Sequence, residues 1–425
     1  MKKNLFKKLA AVVLTGAMSL SLMACGGAGE KKSESNGSGG GADAVAASDT
    51  YGIDKELPIG VLVSDTTSSE ALAFRSYYTD YIGKQYKVKF IYSDELKDAA
   101  GETTALENFI NQGVKAVISL SSFDRPAQLD TCEDAGIYYS IAAGTLTEQE
   151  YEVYKDYEYY VGSIGPSLKT EANTGYDMAK NYIDQGKTSF LIFGGAAAFG
   201  TEMHIYRVAG MLAAMCEADS STNYDGATDI DGIVEKIGGT SPDVKKFKSD
   251  KFKLDYMDGY NMDDAWFGMI AEKVSAEGLE AVLAVGNGGD FFSTQIQGKD
   301  IKVASVDSFT EDYGKAFDAG TLDWLAGKFN ASIAPIFAAT VNAVNGAKLK
   351  TPDGGALMID QGYWEAADKD SFGKYLAKVL DADNPAYTKA ILDKYIATSD
   401  QTVKYEDFEK FVKAYSYDEI DAMNE

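Results

Sequence analysis

Short apolar runs alternate with helical stretches along most of the chain, and this alternation limits the possible folds more than any other feature. Residues 58–63 read PIGVLV and end in a small polar loop at residues 64–68. Residues 114–120, VKAVISL, repeat the arrangement after a helical stretch that stops at Gly113. Strands and helices in this order favour a parallel sheet with right-handed crossover helices.

The same rhythm begins again in the second half of the chain. The segment ENFINQGVKAVISLSSFD, residues 107–124, and the segment AEKVSAEGLEAVLAVGNGGD, residues 271–290, share one pattern. Each reads as helix, glycine, apolar strand and a polar loop that ends in aspartate. About 370 residues follow residue 56, too many for one small core. The sequence therefore predicts an α/β protein with two similar lobes.

An ordered set of segments resembles the type I periplasmic-binding-protein family, in particular the ribose-binding-like substrate-binding lipoproteins of ABC importers. The segments are IGVLVSDTTSSEALAF, NFINQGVKAVISLSSFDRPAQLDTCEDAGIYYSIA, YVGS, YRVAGM, LEAVLAVGNGGD and VASVDSFTEDYGKAFDAGTLDW, within residues 58–346. The set is more specific for the fold than for the ligand. The resemblance implies two doubly wound parallel-sheet lobes, joined by a hinge of three crossings, that close on a small polar ligand.

The chain is expected to contain five parts. They are a lipoprotein signal peptide at 1–24, a flexible tether at 25–56, an N-terminal lobe at 57–161 plus 307–346, a C-terminal lobe at 162–306 plus part of 347–367, and a helical extension at 368–425. The extension carries three amphipathic helical patterns. It would cover a lobe or contact a partner, and the sequence leaves both alternatives open.

Polar residues at the carboxyl ends of the predicted strands are the candidates for ligand binding, because open α/β sheets bind ligands there. A carboxylate such as that of Asp307 can accept hydrogen bonds from two ligand hydroxyls, and a helix cap is its alternative role. The resemblance implies that Arg207 reaches the cleft, and a salt-bridged surface arginine is the alternative. The predicted ligand-binding residues are Asp307, Asn287, Arg207, Asp65, Thr66, Asp124, Phe199, Tyr260 and Lys328.

Two departures from the family pattern bear on the ligand. The family frequently has a charged residue after the strand near Ile141, where this chain has the uncharged residues 142–145, AAGT. The family often has Asn-Asp where this chain has residues 287–290, NGGD. A sugar or sugar-like ligand is expected, but the missing charge argues against assuming a simple pentose or hexose pocket, and the NGGD segment would shift the start of the following helix. The aromatic candidates Phe199 and Tyr260 have core packing as their alternative role.

The amino terminus resembles a bacterial lipoprotein signal. Lysines at positions 2, 3, 7 and 8 precede an apolar run at residues 9–24 that is short for a membrane span. Residues 22–25, LMAC, resemble a lipobox, although Met23 departs from the usual residue. This resemblance implies that Cys25 is acylated and anchors the chain on the extracytoplasmic face of the cell membrane. Cleavage near Ala24 and release as a soluble secreted protein is the alternative.

Composition narrows the function further. Removing the first 24 residues changes the formal net charge from −25 to −29, which disfavours nucleic acid as a partner. One histidine, His204, excludes a histidine-rich metal site, and Cys132 and Cys216 offer no disulfide framework. We expect no cofactor, no metal and no catalytic site, and a monomer that delivers its ligand to ABC permease subunits. A sensor for a membrane kinase or chemoreceptor is the alternative, and an extracellular hydrolase is a weaker one.

The lipidation hypothesis predicts that Cys25→Ser abolishes acylation. Labelled fatty acid should enter the wild-type chain and be absent from the variant, because the thiol is the atom that becomes acylated. Metabolic labelling followed by gel fluorography measures this. A wild-type mature chain that begins at another residue and carries no lipid would contradict the anchor.

Overall fold

The computed structural model describes residues 50–425 and the backbone of Gly41–Ala42. The predicted signal peptide, Cys25 and most of the predicted tether lie outside the described residues. The described strands are β1 Gly41–Ala42, β2 Leu57–Leu62, β3 Val88–Tyr92, β4 Ala116–Ser119, β5 Tyr138–Ala142, β6 Tyr160–Gly165, β7 Ser189–Phe193, β8 Asn223–Tyr224, β9 Phe247–Lys248, β10 Lys253–Met257, β11 Ala281–Ala284, β12 Lys302–Ser308, β13 Trp324–Lys328, β14 Leu357–Asp360, β15 Trp364–Ala366 and β16 Val403–Lys404.

Helices connect these strands and follow the last of them. They are α1 Ser69–Ser76, α2 Gly83–Gln85, α3 Ala99–Asn111, α4 Arg125–Ala135, α5 Glu148–Tyr154, α6 Leu168–Asp184, α7 Glu202–Ala218, α8 Ile230–Ile237, α9 Asp264–Lys273, α10 Gly288–Phe292, α11 Glu311–Ala319, α12 Ala334–Val344, α13 Lys369–Leu380, α14 Lys389–Leu392, α15 Tyr405–Lys413 and α16 Tyr417–Asn424. A π-helical stretch at Tyr77–Ile82 links α1 to α2. Turns of 3₁₀ helix lie at Gly195–Phe199, Val244–Lys246 and Asn330–Ile333.

Two six-stranded sheets form the lobes. The first sheet has the order β3-β2-β4-β5-β6-β14 and the second has the order β10-β7-β11-β12-β13-β15. Every pairing in them is parallel except the antiparallel pairing of β13 with β15. Both lobes therefore have the same doubly wound order for their first five strands, 2-1-3-4-5. The predicted α/β class and two-lobe architecture are confirmed.

Local sequence explains why these elements form where they do. Strands β4 and β11 are buried along their whole length, as expected of parallel strands covered by helices on both faces. Helix α4 begins after Asp124, whose side chain accepts a hydrogen bond from the Ala127 N–H, and ends at Gly136 with φ of +68°. These signals fix the boundaries within each lobe.

The chain crosses between the lobes three times, as the family resemblance implies. The crossings lie between β6 and α6, between β13 and α12, and between β14 and β15. The predicted boundary at residue 307 is wrong, because residues 307–328 belong to the second sheet rather than the first. Pairing of β12 with β13 from Ala304↔Trp324 to Ser308↔Lys328 holds this segment there. Of residues 307–346, only those after Lys328 return to the first lobe, where Thr340 of α12 is bonded to Ser140 of β5 at 2.7 Å.

The end of the predicted tether is part of the folded body. The Tyr51 N–H donates to Asn345 Oδ1 at 2.8 Å, and Asn345 Nδ2 donates to the Tyr51 carbonyl at 3.0 Å. Gly52 pairs with Lys87 beside the first sheet. Residues 50–56 therefore belong to the first lobe, and the backbone of β1 pairs antiparallel with β16 of the extension.

Helices α6 and α7 of the second lobe pack at unusually short range. A Cβ built on Gly210 would lie 1.8 Å from the Ala172 carbonyl oxygen, and one on Gly175 would lie 1.9 Å from the Arg207 carbonyl oxygen. Only glycine permits this approach of two backbones. The contact brings the side chain of Arg207 beside the start of α6.

The predicted helical extension is formed by α13 to α16 with a short strand, β16, among them. Aromatic side chains from it join the largest hydrophobic cluster, which includes Phe372, Tyr387 and Phe411. Within the described residues, no helix is both long enough and apolar enough to cross a bilayer.

We expect Gly210→Ala to destabilise the protein by about 1–3 kcal/mol, because the new methyl group would force α6 and α7 apart. Gly268→Ala in α9 is the matched control, since nothing lies within 4 Å of a Cβ there. That control should be neutral or stabilising by up to about 1 kcal/mol. Urea unfolding of the two variants measures the difference, and equal midpoints would contradict the close approach.

Candidate ligand-binding site

The carboxyl ends of the parallel strands present polar loops at one edge of each sheet. In the second lobe, Asn287 follows β11 and Asp307 lies near the end of the adjacent β12. In the first lobe, the loop at residues 64–68 follows β2. The order 2-1-3-4-5 places a topological switch point at these edges, where ligands bind in open α/β sheets.

The carboxyl group of Asp307 ends a short chain of hydrogen bonds within the second lobe. Its Oδ2 accepts a hydrogen bond of 2.5 Å from Ser305 Oγ, which itself accepts one of 2.8 Å from the Gly288 N–H. The alternative role as a helix cap does not hold, since Thr310 caps α11. Burial raises the pKa of Asp307 to about 7, against the opposing effect of its hydrogen bonds. This carboxyl group can therefore change protonation state near neutral pH.

Asn287 occupies the left-handed region with φ of +55° and is the residue before α10. Its Oδ1 accepts a hydrogen bond from the Tyr260 hydroxyl at 3.3 Å, and its Nδ2 lies 3.4 Å from Asp290 Oδ2. Asp290 also accepts a 2.9 Å hydrogen bond from the Tyr313 hydroxyl. Although residues 287–290, NGGD, depart from the family pattern, Asn287 still directly precedes helix α10. The side chain of Asp290 lies beside it.

Tyr260 joins the polar group to an aromatic wall. Its ring centroid lies 5.6 Å from that of Phe193, edge to face, and 5.9 Å from that of Phe291. Burial raises the pKa of the Tyr260 hydroxyl, and the nearby Asp307 carboxylate raises it further. The structure thus brings together three predicted residues, Asp307, Asn287 and Tyr260, with a neutral phenol among them.

Arg207 has a different setting from the predicted one. Its Nε donates to Glu171 Oε2 at 2.6 Å, its Nη1 to the Val285 carbonyl at 2.5 Å and its Nη2 to the Tyr363 hydroxyl at 2.9 Å. The Tyr363 hydroxyl in turn donates to Glu171 Oε1 at 2.8 Å. Arg207 is 4% exposed. All three of its nitrogens are engaged by the protein, so the structure gives it a structural role in place of ligand contact.

The first-lobe candidates mostly order their own loops. Asp65 Oδ1 accepts hydrogen bonds from the N–H groups of Thr67 and Ser68, at 2.8 and 3.1 Å, and Thr66 is half-buried in the same loop. Asp124 is exposed and caps α4, so the helix-cap alternative describes its observed contact. None of these three residues makes a described hydrogen bond with the second lobe.

Two further candidates, Phe199 and Lys328, make no described hydrogen bond to the group around Asp307. Phe199 is 69% exposed and, among the described residues, takes no part in the ring contacts of Tyr260. Lys328 Nζ lies 3.7 Å from Glu70 Oε1, and this ion pair joins the end of β13 in the second lobe to α1 in the first. Lys328 therefore borders the hinge between the lobes.

Sequence reasoning missed several residues of this site. Ser305 precedes Asp307 by two positions, so the period-2 pattern of a strand could have placed both side chains on one face. Asp290 is the last residue of the NGGD segment, but nothing in the local sequence predicts that Tyr313 of α11 hydrogen-bonds to it.

His204 accepts a hydrogen bond from the Ala196 N–H at 2.8 Å, and burial, with Arg207 and Lys328 nearby, lowers its pKa to about 3. His204 is thus a neutral structural side chain.

Comparison with known proteins supports the fold. No protein-family model and no curated protein sequence matches the chain. An ABC transporter periplasmic solute binding protein from Actinobacillus succinogenes 130z with bound D-allose matches with a TM-score of 0.57 at 15% identity, over 75% of this chain and 100% of that one. A galactofuranose binding protein matches with a TM-score of 0.55 at 15% identity, over 76% and 98%.

A third solved structure agrees with these two. The ABC transporter solute binding protein from Bacillus halodurans C-125 with bound myo-inositol matches with a TM-score of 0.53 at 19% identity, over 76% of this chain and 97% of that one. The chain therefore has the fold of type I periplasmic binding proteins, as the sequence resemblance indicates. At this level of identity the likeness establishes the fold and leaves the ligand to the residues of the site.

We expect Asp307→Ala to weaken, by about tenfold or more, the binding of a ligand that stabilises the wild-type protein, because donor groups of that ligand would lose a charged acceptor. Wild-type affinity should rise from pH 6 to pH 8, as Asp307 loses its proton, and Asp307→Asn should remove that rise. Calorimetric titration at several pH values measures both. Equal affinity in wild type and Asp307→Ala would remove Asp307 from the site.

Burial of Asp307 also has an expected effect on the stability of the protein. This stability should fall as pH rises, whereas ligand affinity should rise. The folded-state pKa of Asp307, about 7, exceeds the usual value near 3.9, so folding takes up a proton between these pH values. The Asp307 contribution to stability is therefore lost as pH rises through 7. Asp307→Asn should melt at an equal or higher temperature than wild type above pH 7. The difference in melting temperature between Asp307→Asn and wild type is the quantity to compare. If this difference were less favourable to the variant at pH 8 than at pH 5, burial of the Asp307 carboxyl group would be contradicted.

Proposed function

We propose that this protein is an extracytoplasmic solute-binding protein that captures a sugar or sugar-like polyol between its two lobes. The observation that carries the proposal is the group formed by Asp307, Asn287 and Tyr260 at the carboxyl edge of the second sheet. A carboxylate, an amide and an aromatic ring are the groups that polyhydroxyl compounds need, for their hydroxyls and their C–H faces. Solved proteins with this fold include sugar- and inositol-bound examples.

Capture is proposed to occur by closure of the lobes about the three crossings. Ligand contacts made by both lobes would favour the closed arrangement over the open one, since a ligand shifts a conformational equilibrium by its differential affinity. Asp307 and Asn287 would provide the second-lobe contacts. The loop at residues 64–68 would provide those of the first lobe.

Delivery to an ABC permease and a lipid anchor on Cys25 complete the proposal. The anchor rests on the lipobox resemblance, and the permease on the kind of protein to which the structural matches belong. A lipid on Cys25 followed by a Gly/Ser-rich segment would keep the binding body near the membrane that holds the permease. No ligand-dependent enzymatic step enters this function.

The proposal predicts that one sugar or polyol stabilises the protein strongly in a thermal-shift panel that also contains nucleosides and amino acids. A ligand at a hundredfold excess over its dissociation constant should add about 2.7 kcal/mol to the free energy of unfolding. Small-angle scattering with that ligand should show a smaller radius of gyration. Stabilisation by an amino acid or a nucleoside, with no response to any sugar or polyol, would contradict the proposed ligand class.

A further inference from the structure

Residues 368–425 contact the first lobe through their central part. The Tyr77 hydroxyl donates to the Tyr387 carbonyl at 2.8 Å, and the Tyr86 hydroxyl donates to Asp393 Oδ1 at 2.8 Å. Asn342 of α12 bonds the backbone on both sides of Ile396, with Nδ2 donating to the Tyr395 carbonyl at 2.9 Å and Oδ1 accepting from the Ala397 N–H at 2.8 Å. This part, around α14, is thus fixed to the first lobe.

The beginning of the same extension contacts the second lobe. Phe372 of α13 stacks on Phe317 of α11, with ring centroids 4.3 Å apart, and lies 5.6 Å from Phe309. Lys369 Nζ lies 2.6 Å from Asp318 Oδ1. Because α11 follows β12 of the second sheet, α13 is attached to the second lobe.

The extension also packs against two of the three crossings. Phe329, in the crossing after β13, stacks on Trp364 with ring centroids 4.1 Å apart. Trp364 follows the crossing between β14 and β15, and its Nε1 donates to the Tyr415 carbonyl at 2.7 Å. Asn330 Nδ2 donates to the Val379 carbonyl at 3.0 Å. The extension therefore covers one side of the hinge.

A groove shows where the extension passes from one lobe to the other. It has a volume of about 550 Å³ and lies between α1 of the first lobe, the start of α11 in the second lobe, and the extension. Residues from Val379 to Pro385 line it, including Ala382 and Asp383. The link between the end of α13 and the buried Pro385 is residues 381–384, which are exposed like Leu380 before them. Four residues span at most about 14 Å, which sets an upper limit on the separation that the link allows.

Helix α16 forms a second connection between the two attached parts. Tyr417 stacks on Tyr375 of α13 with ring centroids 5.2 Å apart, and Asp418 Oδ1 lies 2.7 Å from Lys374 Nζ. Asn424 Nδ2 donates to the Ala386 carbonyl at 3.0 Å on the first-lobe side. The part on the second lobe and the part on the first lobe are therefore joined twice.

We propose that residues 368–425 act as a strap that limits how far the two lobes open. Opening would widen the groove between α1 and α11, and the strap resists because it is attached to both sides with a short link. The unliganded protein then samples a narrow range of open arrangements, which raises the fraction close to the binding-competent one. The proposal goes beyond the proposed sugar capture and can be tested without a ligand.

A loosened variant keeps every packing residue of α13 and α14 but lengthens their link. It carries eight Gly/Ser residues inserted between Ala382 and Asp383, together with Tyr417→Ala and Asn424→Ala to release α16. Nitroxide labels at Glu95→Cys and Glu235→Cys, exposed positions on the first and second lobes, report the inter-lobe distance in a Cys25→Ser chain. We expect the distance distribution of the unliganded loosened variant to broaden and shift to longer distances than that of wild type.

The matched control carries the same insertion between Gly239 and Thr240, in an exposed loop of the second lobe alone. It should reproduce the wild-type distribution. Identical distributions in wild type and loosened variant, or an equal shift in the control, would overturn the strap. Phe372→Ala is a second test that adds no residues: it should also lengthen the distance, and a circular dichroism spectrum confirms that the variant is folded.

Discussion

One buried ion pair, between Arg207 and Glu171 of the second lobe, ties helix α7 to two of the three crossings between the lobes. Glu171 lies in the first turn of α6, just after the first crossing, and Tyr363, which bonds both partners, lies in the third crossing. Both charged side chains are almost fully buried. Taking two charges from water costs several kcal/mol each, and only a complete set of hydrogen bonds offsets that cost. Two of the crossings are thus tied to α7 by a network that tolerates little displacement.

This network also determines what is available to a ligand. A free arginine in a cleft can form bidentate contacts with anions or stack on a sugar face, but Arg207 is buried and each of its guanidinium nitrogens is hydrogen-bonded within the protein. In the proposed site, recognition by the second lobe would then depend on Asp307, Asn287 and Tyr260. The buried Asp307 is itself costly to charge, and its hydrogen bond from Ser305 only partly offsets the burial. Retaining such a group is typical of a binding site, where perturbed carboxyl groups concentrate.

The sequence predicts the lobes well but not the points where the chain passes between them. Strands such as β4 and β11 carry their own signal, because a buried parallel strand must be apolar along its length. A crossing has no such signal. Residues 302–308 and 324–328 are apolar strands whichever sheet they join, and only the pairing of Ala304 with Trp324 assigns them to the second lobe. The family pattern suggested an earlier crossing, and the structure places it after Lys328.

The site shows the same division between local and distant information. Asp307 and Asn287 could be named as candidates because each lies at the carboxyl end of an apolar strand, at an edge where ligands bind in open α/β sheets. The role of Arg207 could not, because its partners Glu171 and Tyr363 lie 36 and 156 residues away in sequence. Whether an arginine binds a ligand or holds a hinge depends on these distant partners. A resemblance to a family therefore predicts where a residue lies in the fold more reliably than it predicts what that residue contacts.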